Sequence, residues 1–294
     1  DFDDDDSLDI LATNVASGNA ASLALGQGNG SFLDPYPYRG VDRVGRGIGV
    51  DCADIDADGL SDFVVLDDQG ANLRVALNRS NNDPTPTPGT GDTRTPTTGT
   101  PRPTSTPTPT VPTLTPTPTV TASPVPTVPL GRCNINVSGE PVAVAAGDFD
   151  RDGNPDVVYA DAAENRVSVL FVDPALLPDS YDCDLQMPAR DFALAAEPAA
   201  VAVGDLNRDA RLDVAVATSA GVAVLLANPA TEGDFFNPVN HAVGTDPRAI
   251  AIEDLNRDGR PDVVTANRGG SSISMLYGQG DGSFNSAVTI AAAR

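Results

Sequence analysis

The sequence predicts an all-β protein made of repeated four-stranded units and interrupted by one Pro/Thr-rich insertion. Two observations support this. Short apolar runs alternate with turn residues along the chain, and an Asp-rich loop of nine residues recurs five times, each copy leading directly into an apolar run. Self-similarity at a period of about 50 residues is typical of propellers and repeat arrays. Four short strands per repeat is the pattern of a β-propeller blade, so we expect a β-propeller with five visible repeats.

The clearest unit lies between Pro141 and Glu197. Val142 and Val144 mark a first strand that leads into the Asp-rich loop, and three further apolar runs follow within the unit. The two units after it repeat this order. The later strands of the first unit are predicted at 156–161, 166–172 and 191–196. The strands of the next two units are predicted at 199–204, 212–218, 221–227 and 236–243, and at 248–253, 261–267, 271–277 and 284–291.

The loop at 148–156 shows the chemistry of the repeat. Asp148, Asp150, Asp152 and Asp156 occupy positions 1, 3, 5 and 9 of the loop, and Gly153 occupies position 6. Alternate side chains of a tight loop can point inward, position 7 can add its backbone carbonyl, and Gly at position 6 suits a left-handed turn. Several hard oxygen ligands with high negative charge favour Ca²⁺ over zinc or Mg²⁺. We therefore predict up to five structural Ca²⁺ ions.

The five copies supply the predicted metal ligands. They are Asp1, Asp3, Asp5, Ser7 and Asp9; Asp54, Asp56, Asp58, Leu60 and Asp62; Asp148, Asp150, Asp152, Asn154 and Asp156; Asp205, Asn207, Asp209, Arg211 and Asp213; Asp254, Asn256, Asp258, Arg260 and Asp262. An Asx-turn that merely caps strands is the alternative, but it needs one or two Asp rather than four. An EF-hand is excluded because position 12 is Val65 or Tyr159, within an apolar run, rather than Glu.

The spacing Asp-x-(Asp/Asn)-x-Asp-Gly-x-x-Asp, with the turns Gly-x-Gly-(Asp/Asn)-Gly-Ser-Phe at 26–32 and 278–284, resembles the FG-GAP/VCBS repeat of integrin-α-like β-propellers. The resemblance implies calcium between the first and second strands of each blade and an extracellular protein for adhesion, recognition or assembly. Asp6 and Ala210 depart from the motif by replacing Gly, and Asn207 and Asn256 by replacing Asp. The fourth copy combines both departures and should be the weakest site.

Three regions are expected: blades 1 and 2 in 1–82, a linker in 83–130, and the end of blade 2 with blades 3 to 5 in 131–294. Blade 1 begins inside its loop, so its innermost strand must lie upstream or come from elsewhere, and a processed start is expected. Residues 84–129 contain 14 Pro and 18 Thr. Such a chain favours extended polyproline II and would reach on the order of 140 Å at about 3.1 Å per residue. It is either an O-glycosylated stalk or a disordered spacer.

Charge and cysteine content bound the compartment and the partners. The net charge is −23, which disfavours nucleic acid as a partner because the field repels phosphate. No apolar run is long enough for a membrane span, and no signal peptide is visible. Cys133 and Cys183 precede corresponding strands, which suggests a disulfide, and Cys52 is expected to be a buried free thiol. Loops of this kind fill at millimolar extracellular calcium, so we expect a secreted or surface protein.

We expect no enzymatic activity and no catalytic residues. The chain has a single histidine, His241, and no Ser or Cys with a recognisable partner histidine. Two function classes remain open. The chain is either a surface adhesion or recognition module with a protein partner, or a self-assembling subunit of an extracellular filament or surface layer built by strand or blade exchange.

Overall fold

The computed structural model describes residues 7–13, 21–32, 36–37, 47–67, 72–78, 131–173, 183–185 and 189–292. All regular elements in these ranges are β-strands, as the alternating apolar runs predict. No helix that could span a membrane occurs among them. The predicted all-β class is therefore confirmed, and the strands form five separate sheets.

The sheets follow one another along the chain. Sheet 1 consists of β1 (Ile10–Thr13), β2 (Ala21–Ala24) and β3 (Tyr36–Pro37). Sheet 2 consists of β4 (Gly47–Ala53), β5 (Asp62–Asp67), β6 (Asn72–Leu77), β7 (Gly131–Asn136) and, at its outer edge, β11 (Cys183–Leu185). Sheet 3 consists of β8 (Pro141–Gly147), β9 (Asp156–Asp161), β10 (Arg166–Leu170) and β12 (Ala189–Ala193).

The last two sheets repeat the four-stranded plan. Sheet 4 consists of β13 (Pro198–Gly204), β14 (Asp213–Thr218), β15 (Gly221–Leu225) and β16 (Val239–His241). Sheet 5 consists of β17 (Pro247–Glu253), β18 (Asp262–Asn267), β19 (Ser272–Leu276) and β20 (Val288–Ala291). Neighbouring strands within these two sheets are antiparallel, and each first strand carries an irregularity near its proline, as between Pro198 and Ala200.

The Pro/Thr-rich insertion separates two strands that pair directly. β6 and β7 are antiparallel neighbours, with Leu77 opposite Gly131 and Asn72 opposite Asn136. Residues 79–130 are outside the part of the chain that the structure describes, and the predicted O-glycosylation falls on these residues.

Each sheet packs against the next through an apolar cluster. Sheets 1 and 2 meet through Ala21 and Phe63, and sheets 2 and 3 meet through Val64 and Val157. Sheets 3 and 4 share Val158 and Val214, and sheets 4 and 5 share Ala215 and Val263. The second strands of sheets 3 and 4, β9 and β14, are therefore buried on both faces.

Cys52 departs from its predicted environment. The thiol is free, as expected, but the residue is exposed rather than buried. It lies on β4, the first strand of sheet 2, and the first strands of sheets 2 to 5 pack against one another in order. Sheet 1, as described, starts with the strand after its loop, so it offers no corresponding first strand to cover Cys52.

Candidate metal centres

The second to fifth Asp-rich loops each join the first two strands of a sheet, as predicted. The loop at 54–62 joins β4 to β5, and the loops at 148–156, 205–213 and 254–262 join the corresponding strands of sheets 3, 4 and 5. In the first copy, Asp1, Asp3, Asp5 and Asp6 lie outside the described residues, whereas Ser7 and Asp9 lie within them.

Carboxylates converge in the second and third copies. One carboxylate oxygen each from Asp54, Asp56 and Asp62 lies within 4.8 Å of the other two, and Asp148, Asp150 and Asp156 form a matching group. The third-copy group also has an unsatisfied atom, because Asp148 Oδ1 is buried and accepts no hydrogen bond. Burial and the adjacent carboxylates of Asp152 and Asp148 raise the pKa of Asp150. A bound cation would satisfy the buried oxygen and favour ionised carboxylates, so the residues fit a metal ion.

The position-5 carboxylates stand apart from these two groups. Asp58 and Asp152 are not members of them, and each accepts a hydrogen bond from the backbone N–H at position 7. The bond to Asp58 Oδ1 comes from Leu60 N at 2.9 Å, and the bond to Asp152 Oδ1 comes from Asn154 N at 2.8 Å. The structure thus brings the carboxylates at positions 1, 3 and 9 together, whereas the carboxylate at position 5 stabilises the turn through its backbone hydrogen bond.

The fourth and fifth copies have the same turn with one carboxylate fewer. Asn207 and Asn256 stand at position 3, and neither loop, although fully described, forms a group of three acidic residues. The amide nitrogen of Asn207 donates to Asp209 at 3.2 Å, and that of Asn256 donates to Asp258 at 3.1 Å. A cation would therefore meet fewer negative charges here than in the second and third copies.

Left-handed backbone at position 6 occurs as predicted. Gly59, Gly153 and Gly259 have φ of 92°, 93° and 79°, and Ala210 adopts φ of 62° in the same place. A side chain in this region costs free energy that glycine avoids. Position 4 is also left-handed, at φ of 58° to 64° for its four members, which the sequence reasoning missed: Ala57, Arg151, Arg208 and Arg257.

The Asp at position 9 has a second role that the sequence reasoning also missed. Asp156 Oδ2 accepts from Phe149 N at 3.0 Å, and its Oδ1 accepts from Val172 N, just after the third strand, at 2.9 Å. Asp62, Asp213 and Asp262 accept the same pair of backbone hydrogen bonds in their copies. Asp9 accepts the bond that corresponds to the second of them, from Gly26 N at 2.7 Å. No separate signal for this role is present in the sequence, because positions 1, 5 and 9 are all Asp in every copy.

Burial raises the pKa of the carboxyl groups at loop position 9 in the second, third and fourth copies. Burial raises the pKa of Asp62 to about 7, even though backbone N–H groups donate to the carboxylate. Burial likewise raises the pKa of Asp156 to about 7 and that of Asp213 to about 6. A nearby cation would favour the charged form of the same groups.

The glycine-rich turns at 26–32 and 278–284 form the same bridge, but their Phe side chains differ in burial. Gly26 pairs with Phe32 and Gly278 with Phe284 through isolated β-bridges. Phe284 packs against the cluster between sheets 4 and 5, whereas Phe32 is exposed rather than anchoring a strand.

Two solved structures share the fold at low identity. A Lactobacillus plantarum protein is 11% identical, with a TM-score of 0.56, and the match covers 98% of this chain and 68% of that one. A Bacteroides uniformis protein, described provisionally as a 6-phosphogluconolactonase, is 10% identical, with a TM-score of 0.57, and the match covers 98% and 69%. A comparison with curated proteins finds no match.

The second of these structures corrects one expectation. The sequence analysis expects no enzymatic activity, but the Bacteroides uniformis structure has a similar fold and is described provisionally as an enzyme. The fold therefore does not exclude catalysis, and the expectation that the chain has no enzymatic activity was wrong. At 10% identity the likeness concerns the fold alone and assigns no reaction to this chain.

The family comparison matches the regions that carry the Asp-rich loops. The family model for the FG-GAP-like repeat matches residues 1–65 and 205–265, which include the first, second, fourth and fifth copies. The second region includes two complete loops, the strand β14 and the first part of β18. The resemblance drawn from the sequence is confirmed in these two regions, which are similar to the FG-GAP-like repeat.

Proposed function

We propose that the chain is an extracellular, calcium-stabilised β-propeller that serves as a surface adhesion or recognition module. In this proposal the five sheets are blades, and the Asp-rich loops lie at corresponding places in successive blades. The observation that carries it is the convergence of three carboxylates in each of two successive loops. A rigid array of this kind can present its other loops to a partner at fixed spacing.

The donor set favours calcium as the ion. Both acidic groups offer only oxygen ligands, which suit a hard cation, and neither contains a His or Cys that would suit zinc. The left-handed turn keeps the position-7 carbonyl available as a further oxygen ligand. Bound calcium would neutralise clustered carboxylates and hold the first and second strands of a blade together. The predicted total is up to five ions, with the strongest sites in the second and third copies.

The charge balance supports an extracellular setting. The net charge is −23, and self-repulsion destabilises a compact chain unless cations offset it. Weak calcium sites of extracellular modules fill at about 10⁻⁴ to 10⁻³ M, a range that occurs outside cells rather than in the cytosol. Folding and presentation of the module would then be coupled to the calcium level outside the cell.

An adhesion assay tests the proposal. Surfaces coated with the native protein should retain cells from its source culture in about 2 mM calcium, a concentration high enough to fill weak extracellular calcium sites. The same surfaces should release the cells in EGTA. The double variant Asp54→Ala/Asp148→Ala should lose much of this retention, whereas Glu164→Gln, an exposed acidic change outside the loops, should not. Equal retention in calcium and EGTA would argue against a calcium-dependent module.

A structural subunit of an extracellular filament or surface layer is the second candidate. Sheet 1 favours it, because its described part has three strands where the other sheets have at least four. A strand or blade from another subunit could complete it. Negative-stain electron microscopy in calcium separates the candidates: long regular fibres support the subunit, and isolated particles support the module.

A further inference from the structure

Sheet 5 exposes a face that every preceding sheet of four or more strands buries. In sheets 2, 3 and 4, the second residue after the loop is Val64, Val158 or Ala215, and each is fully buried. Its counterpart in sheet 5, Val264, is only partly buried, and the residue two positions on, Ala266, is exposed. We call this side of each sheet its forward face.

The third strand and the loop show the same change. Leu73, Val167 and Val222 are fully buried on the forward faces of their sheets, whereas Ile273 of sheet 5 is 45% exposed. At loop position 2, Ile55, Phe149 and Leu206 are buried beneath the next sheet, whereas Leu255 is 42% exposed. Cross-strand partners extend the apolar face outward, because Ile290 lies opposite Ile273 and Val288 lies opposite Met275.

Sheet 1 exposes the complementary side. The first residue after the loop faces the preceding sheet in sheets 2 to 5, and Phe63, Val157, Val214 and Val263 are all fully buried at this position. Its counterpart in sheet 1, Ile10, is 48% exposed, and Ala12 on the same side is exposed as well. We call this side the backward face. The series of sheets thus exposes a forward face at one end and a backward face at the other.

We infer that the forward face of sheet 5 docks the backward face of sheet 1 from a second copy of this chain. The chain already makes this forward-to-backward contact four times internally, so its continuation needs no new kind of interface. Its own sheet 1 leaves the forward face of sheet 5 exposed, so this face is open to the backward face of a second copy. Two different faces at opposite ends make a head-to-tail contact that extends into a chain of copies. The inference deepens the filament candidate and rests on it.

The apolar character of the forward face suits this partner. Its central residues are Val264, Ala266, Ile273, Met275, Val288 and Ile290. None of them is charged, although the chain as a whole carries a net charge of −23. An exposed apolar patch within a strongly charged surface marks a protein contact site. Calcium in the loops would reduce the repulsion between two acidic copies and so favour the contact.

Analytical ultracentrifugation of the full chain in calcium tests the inference. The wild-type chain should grow in mass with concentration, whereas Ile273→Glu and Ile10→Glu should each remain monomeric, because the new charge would be buried unpaired in the contact. Both sites are about half exposed, so circular dichroism should show folded protein. Val239→Glu is the matched control: it also adds a charge at an exposed apolar strand residue, but in sheet 4, and should leave growth unchanged.

A mixture of the two variants makes the test specific. Ile273→Glu retains an intact backward face and Ile10→Glu retains an intact forward face, so an equimolar mixture should form dimers and stop there. A wild-type chain that stays monomeric at all concentrations would overturn the inference. Growth that both variants leave intact would also overturn it, while leaving the filament candidate standing. Growth lost in Ile273→Glu alone would indicate a symmetric contact and contradict the head-to-tail geometry.

Discussion

At the scale of single residues, the Asp at loop position 9 does two things at once. In the third copy, Asp156 joins the carboxylate group and accepts backbone hydrogen bonds from Phe149 and Val172. The first bond holds the loop, and the second holds the end of the third strand. A single carboxylate therefore connects the metal loop to the sheet even where no ion is bound.

Asp156→Ala should destabilise the protein without any involvement of metal. The change leaves two buried N–H groups unpaired, each costing about 1–3 kcal/mol, so the free energy of unfolding in EGTA should fall by about 2–5 kcal/mol. Denaturant unfolding in EGTA measures this. Asp152→Ala, at the exposed position 5 of the same loop, is the control and should cost under about 1 kcal/mol. Equal effects for the two variants would show that position 9 has no special structural role.

Ala210→Gly should stabilise the protein. Ala210 adopts φ of 62°, where an L-residue is strained by about 1–2 kcal/mol, and glycine removes that strain while adding some entropy to the unfolded chain. We expect a net gain of about 0.5–1 kcal/mol in thermal unfolding. Ala249→Gly, at an exposed position in β17, should lose a similar amount and serves as the control. A loss at both positions would contradict the strain argument.

The raised pKa values predict how stability depends on pH. Between about pH 4 and pH 7 the folded state binds protons at Asp62, Asp156 and Asp213 that the unfolded state has released. The free energy of unfolding in EGTA should therefore fall as the pH rises through this window. Asp156→Asn, which cannot ionise, should flatten the slope. Saturating calcium should do the same by favouring the ionised carboxylates, and a slope identical in calcium and EGTA would contradict this account.

At the scale of elements, the connection between β10 and β12 returns to the preceding sheet. β11 pairs in parallel with β7, the outer strand of sheet 2, and the register sets Cys183 opposite Cys133. Sequence reasoning suspected this cysteine pair from its position before two strands, but it did not predict the parallel strand. The side chains of both residues lie outside the described residues.

The register makes a Cys133–Cys183 disulfide the expected state of protein purified without reductant. Paired strands lie about 4.7–4.9 Å apart, which falls within the range of Cα separations that disulfides span. Thiol titration of the denatured, unreduced protein should find one free thiol, Cys52. Mass spectrometry of a digest should find the peptide that contains Cys133 joined to the peptide that contains Cys183. Three titratable thiols in protein kept under air would contradict the pairing.

Most strands of the last three sheets could be predicted because each has a local signal. The second strands, Asp156–Asp161 and Asp213–Thr218, begin at the last Asp of a loop and run through continuous apolar residues. The fourth strand β12 was harder to predict and lies at Ala189–Ala193 rather than 191–196, because alternate exposed positions give little pattern. The exposure of Cys52 and the pairing of β11 depend on a neighbouring sheet, which no local pattern encodes.

The candidate site divides in the same way. The predicted ligands at positions 1, 3 and 9 converge in the second and third copies, as the loop spacing predicts for them. The position-5 carboxylates do not join those groups, because the turn directs Asp58 and Asp152 to the backbone N–H groups at position 7. The same turn has left-handed backbone at position 4, and an Ala or Arg at that position does not predict this conformation.

At the scale of the whole molecule, acidic loops recur through a chain of net charge −23. Clustered carboxylates in the second and third copies repel one another, and the apolar clusters between sheets must overcome that repulsion when no cation is present. Calcium would therefore act on the molecule as a whole, by relieving repulsion at several loops together. Each site filled to about 100 times its dissociation constant would add about 2.7 kcal/mol to the free energy of unfolding.

Thermal unfolding in calcium and in EGTA tests the central claim most directly. Scanning calorimetry should show a markedly higher Tm in calcium than in EGTA, and magnesium at the same concentration should restore little of the difference because it dehydrates reluctantly. The double variant Asp54→Ala/Asp148→Ala should lose much of the gain, whereas Glu164→Gln should keep it. A Tm that is the same in calcium and EGTA would contradict calcium stabilisation, and with it the proposed role of the Asp-rich loops.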